Sequence, residues 1–138
     1  MLKKTISYED YDGNKRTEDF YFNLNKAELT EMEMSFSGGL EKTIEKIVAE
    51  QDSKRLIEIF KDLILKAYGE KSLDGKRFKK GEEIRDSFAQ TEAYSELFME
   101  LAMNANAAAA FVNGITPMAS PVSLAPTMPN PSLVPSNK

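Results

Sequence analysis

Only carboxylates, amines, hydroxyls and phenols are available for chemistry in this 138-residue chain, which contains neither His nor Cys. The commonest general base and metal ligand is therefore missing, as are thiol nucleophiles, disulfides and Cys-ligated metal centres. The acidic pairs Glu31/Glu33 and Glu82/Glu83 are near neighbours on helical segments, where solvated charges far outnumber tuned acid–base dyads. Tyr8-Glu9-Asp10-Tyr11-Asp12-Gly13 has the acidic density of a calcium loop. Tyr8, however, holds the first ligand position, and no bidentate Glu stands at the required offset. Gly69-Glu70-Lys71-Ser72 lacks a Lys directly after its Gly and has Ile64 where a phosphate loop needs an earlier Gly. Lys76, Arg77, Lys79 and Lys80 form one basic cluster, flanked by Glu70, Glu82 and Glu83. The flanking acids cancel its field beyond a Debye length, so it reads as a solvated connector or a patch for an acidic partner surface. The chain is expected to be no enzyme and to need no metal or cofactor.

Composition narrows the remaining classes. Lys and Arg total 18 against 22 Asp and Glu, a net charge of −4, whereas a nucleic-acid binder carries a basic excess. No apolar run is long enough to span a membrane, and the start MLKKTISYEDYDG lacks the apolar stretch of a secretory signal. A cytoplasm is the default compartment. The length suits one domain.

The elements that must position these side chains follow from period and punctuation. Leu2, Lys4, Ile6 and Tyr8 alternate with Lys3, Thr5 and Ser7, the pattern of a half-buried strand. Asp12-Gly13 supplies a turn, and the return strand sets Glu18, Phe20 and Phe22 opposite Thr17, Asp19 and Tyr21. Two strands alone are marginal in water, so this hairpin must pack on helices or pair with another chain. Asn25 followed by Glu28 fits an N-cap with its acidic partner, ahead of a face of Leu29, Met32 and Phe36. Gly38-Gly39 stops that helix. A second short helix carries Leu40, Ile44, Ile47 and Val48.

Asp52 or Ser53 caps a third helix that Gly69 ends. It is apolar over more than half its circumference, through Leu56, Ile57, Ile59, Phe60, Leu63, Ile64, Ala67 and Tyr68. A stripe this wide marks the central helix of a bundle, and burying Phe60 or Leu63 contributes roughly 1.5–3 kcal/mol each. Gly69 to Gly81 reads as a polar connector. A fourth helix carries Ile84 and Phe88. Thr91 caps a fifth, with Tyr94, Leu97, Phe98, Leu101 and Ala102 on one face, and a last helical piece, Ala105–Val112, meets a stop at Asn113-Gly114. Met32, Met34, Met99 and Met103 sit in or beside apolar faces, where Met either fills gaps or lines an adaptable surface.

All six prolines lie at or beyond Pro117. The expected fold is mainly α with a small N-terminal β-hairpin: one folded domain over 1–116 (hairpin 2–22, helices 25–114), then a disordered Pro-rich tail over 117–138.

Two stretches carry a resemblance. Lys71 to Pro117 contains Ser72-Leu73-Asp74-Gly75-Lys76-Arg77-Phe78, Gln90-Thr91-Glu92-Ala93-Tyr94 and an Ala-rich ending at Phe111-Val112-Asn113-Gly114. Phe20–Ile47 adds an aromatic strand, Leu24-Asn25-Lys26 and a helix ended by Gly38-Gly39. In this order the motifs resemble the tail assembly chaperones of long-tailed (siphovirus-type) bacteriophages of Gram-positive bacteria, in their short, non-frameshifted form.

The resemblance implies a small helical protein of the infected host's cytoplasm that binds and solubilises the tape measure protein until tube subunits polymerise around it. It also implies a longer form, made by ribosomal frameshifting, that recruits the tail tube protein. The mature virion would then lack the chain. Association of the chain with itself stays open; nucleic acid and membrane are not expected partners. Shielding a long amphipathic helix requires an apolar groove, for which Leu97, Phe98, Leu101 and Met103, with Phe111, are the candidate partner-binding residues. The alternative is a structural virion component, such as a tail connector or completion protein.

Overall fold

The computed structural model describes residues 1–117. Beyond Pro117, the segment expected to be a disordered tail lies outside the described residues.

The chain opens with the expected hairpin, β1 (Leu2–Glu9) and β2 (Lys15–Phe22), in unbroken register from Leu2↔Phe22 to Glu9↔Lys15. Leu2, Lys4, Ile6 and Tyr8 turn toward the core side, and Ile6 is buried there. The acidic stretch that has the density of a calcium loop is instead a turn anchor. The Asp10 carboxylate accepts the N–H groups of Asp12 and Asn14, each at 2.9 Å, and Arg16 Nε at 2.6 Å.

Helix α1 (Lys26–Met34) begins with the full capping box: Asn25 Oδ1 accepts the Glu28 N–H at 2.8 Å, and Glu28 Oε1 accepts the Asn25 N–H at 2.9 Å. Helices α2 (Leu40–Ala49) and α3 (Ser53–Ala67) follow, the latter capped by Asp52. Phe60 and Leu63 are buried, as the width of the α3 stripe predicts.

Two expectations need correction. Gly69 does not simply end a helix, and the stretch expected to be a polar connector contains strands as well as a turn at Asp74-Gly75. The chain passes into β3 (Tyr68–Lys71) and β4 (Phe78–Lys79), making a four-stranded antiparallel sheet in the order β1-β2-β3-β4. Strands this short leave almost no periodic signal. Their turn is set by side chains instead, Ser72 Oγ donating to Asp74 Oδ1 at 2.7 Å and accepting the Arg77 N–H at 3.0 Å. Helices α4 (Glu82–Ala89), α5 (Glu92–Met103) and α6 (Ala105–Ile115) complete the fold.

The second correction is that α6 runs through Asn113-Gly114. A Cβ at Gly114 would lie 2.9 Å from Leu2 Cδ1, so this glycine permits close helix-to-strand packing and is no stop. The added turn buries Ile115, whose carbonyl accepts the Leu24 N–H at 2.7 Å.

The core lies between the sheet and the helices. Helix α4 packs on β3, α5 and α6 pack on β1, and α3 lies against α2, α4 and α5. An aromatic cluster joins these layers: Tyr68 stacks on Phe88 at 4.2 Å, and Phe22 meets Phe88 edge-on at 5.7 Å and Phe111 at 5.3 Å.

Candidate functional site

The charged candidates resolve into structural parts. Glu33 Oε1 accepts the Leu40 N–H at the start of α2, at 3.0 Å; the expectation of a solvated pair therefore holds for Glu31, which is exposed, and fails for Glu33. Glu82 and Glu83 are exposed in the first turn of α4, where a helix dipole favours negative charge. Lys80 leaves its basic neighbours and folds inward: Nζ donates to the Asn23 carbonyl at 2.6 Å and to both Glu28 oxygens at 2.9 Å. The α1 cap is thereby tied to the β4–α4 junction. Gly69 to Lys71, the segment that echoes a phosphate loop, lies within β3.

The phenols with shifted equilibria belong to the framework. Tyr8 is raised because its OH donates to Glu18, and Tyr68 and Tyr94 are raised by burial. Asp10 lies below the ordinary carboxylate value, first because Arg16 donates to it and then because of the Asn14 N–H.

Among the described residues one surface groove is both large and apolar. A groove of about 850 Å³ opens between α2, α3 and the junction of α5 with α6. Its walls are Ile44, Val48 and Ala49 from α2, Leu56, Ile57 and Phe60 from α3, and Phe98, Leu101, Ala102, Met103, Ala105 and Ala108 from the other two helices. Among the described residues Glu45 is the single charged one on that lining. Three apolar side chains stand in the open: Val48 is 56% exposed, Ile57 44% and Met103 79%. Asn104 shapes this end of the molecule. It ends α5 and caps α6 at once, its Oδ1 accepting the Ala107 N–H at 3.0 Å. The bend carries Met103 and Ala105 to the rim.

The five candidate partner-binding residues divide across this surface. Phe98, Leu101 and Met103 line the groove. Leu97 and Phe111, at 1% and 2% exposure, are packed in the core and offer no surface. Val48 and Ile57 were legible only as members of apolar stripes. The signal that marks them is the width of the α3 stripe, too broad for its neighbours to cover, so that Leu56 and Ile57 are left toward the groove.

Such a groove can hold the apolar face of a helix, and no chemical step follows from its lining. Among the described residues no helix is long and apolar enough to cross a membrane. No curated protein and no solved structure matches the chain. A family model described as phage tail assembly chaperone matches residues 1–120, in accord with the motifs in Phe20–Ile47 and Lys71–Pro117, and the chain belongs to that family.

Proposed function

We propose that this chaperone binds the tape measure protein, receiving apolar faces of its long helices in the α2–α3–α5/α6 groove and keeping it soluble until tube subunits assemble. The observation that carries the reading is an open, almost uncharged groove with Val48, Ile57 and Met103 exposed around it. An exposed apolar surface of this kind is costly to maintain unless a partner covers it. Met103 adds adaptability, because an unbranched thioether repacks against different side chains, as a chaperone reading successive segments of a long helix requires. Many weak contacts along that chain give high avidity while each one stays releasable.

In this reading the protein acts in the host cytoplasm, performs no reaction and leaves before the virion matures. Tube subunits are recruited by a longer, frameshifted form of the same chain. Co-expression with the tape measure protein tests the proposal: the soluble fraction of that partner rises and the two co-elute. Unchanged solubility with no co-eluting complex contradicts it.

A further inference from the structure

The two edges of the sheet are unlike. One edge is β4, only two residues long; the other is β1, eight residues in unbroken register with β2, without bulge or proline. The Asp10 N–H donates across the hairpin to the Asn14 carbonyl at 2.8 Å. By alternation, Tyr8, Ile6, Lys4 and Leu2 direct their backbone groups at β2, while those of Lys3, Thr5, Ser7 and Glu9 point away from it. Among the described residues these four outward N–H groups have no hydrogen-bond partner. Long free edges of this kind are templates for pairing, and soluble proteins blunt or cover them.

We propose that two copies of this chain join by antiparallel pairing of their β1 edges, with Ile6 opposite Ile6 on a two-fold axis. Outward-facing backbone groups must meet outward-facing ones, so only registers that pair odd-numbered residues with each other can form. Among these, the one centred on Ile6 gives full overlap of the four outward residues. It places Lys3 of each copy opposite Glu9 of the other, and Thr5 opposite Ser7. Lys3 makes no ion pair within the described residues, and Glu9 has only an exposed one with Lys15 at 3.6 Å. A register centred on Thr5 or Ser7 shortens the ladder and removes both opposite-charge pairs. The complementarity is thus written into the strand itself, Lys-x-Thr-x-Ser-x-Glu, read in opposite directions. The resulting eight-stranded sheet would carry two grooves on one body, and the pairing does not depend on what those grooves hold.

Sedimentation of the full chain tests the pairing. The wild type is expected to show a concentration-dependent species of twice the 15.5 kDa chain mass. Lys3→Glu and Glu9→Lys each put like charges opposite one another at two symmetric places, which raises the dissociation constant about tenfold. The double variant Lys3→Glu/Glu9→Lys restores the opposite pairs and the dimer. Ser7→Pro deletes an outward donor without touching a backbone bond to β2, giving up only the exposed Ser7 Oγ–Thr17 Oγ1 contact at 3.0 Å, and is expected to give monomer with an unchanged circular dichroism spectrum. A wild type that stays monomeric to about 1 mM overturns the proposal, as does a dimer that the single reversals do not weaken or the double reversal does not restore.

Discussion

Individual residues in this protein repeatedly serve a different purpose from the one their type first advertises. Asp10 is a turn anchor, and its titration follows from that. Its folded-state value is depressed by Arg16 and the Asn14 N–H, so its contribution is fully present above the ordinary carboxylate value of 3.8 and is lost as pH falls through the folded value. Amide chemical shifts of Asp12 and Asn14 should therefore move in acid below that value, and the Asp10→Asn variant should lose this response. Gly69 is a packing residue. A Cβ there would lie 2.7 Å from the Phe78 ring and 2.9 Å from the Lys79 carbonyl. Because backbone is among the obstacles, Gly69→Ala is expected to destabilise by about 1–3 kcal/mol in chemical denaturation. Phe22 is fully buried at the meeting of Tyr68, Phe88 and Phe111, and truncation to Ala should cost about 3–5 kcal/mol.

At the scale of elements, strong local chemistry made most of the fold legible. The Asn25–Glu28 box, the Asp52 and Thr91 caps and the alternation of β1 each place a boundary or a face from a few residues. What stayed hidden depends on distant partners. The strands β3 and β4 are too short for a period and exist because Tyr68 and Gly69 pair with Phe22 and Tyr21. Helix α6 passes its apparent stop because Gly114 meets Leu2 from the other end of the chain. The candidate site was half legible for the same reason. Apolar spacing on α5 identifies Phe98 and Leu101, but only packing tells that Leu97 faces inward and that Val48 and Ile57 stay open. Charged substitutions at those open positions separate binding from folding. Ile57→Glu with Met103→Glu is expected to change the melting temperature by no more than a few degrees while abolishing solubilisation of the tape measure protein. A large loss of stability would mean that these side chains act as core.

At the scale of the whole molecule, an apolar groove stands on a chain of net acidic charge. On the proposed function, a net charge of −4 would keep coated complexes apart, since like-charged particles resist association. Light scattering from a solution of the complex should accordingly rise as pH approaches 5.0, where the net charge of this chain vanishes. The proposed division of labour is spatial as well: the sheet and aromatic cluster hold the shape, and the helical face away from β1 and β2 does the binding. Hydrogen exchange on the co-eluting complex with the tape measure protein tests this division most directly. The account predicts slowed exchange in α2, the first half of α3 and the α5–α6 junction. Protection confined to the sheet, with no change along those three segments, would contradict it.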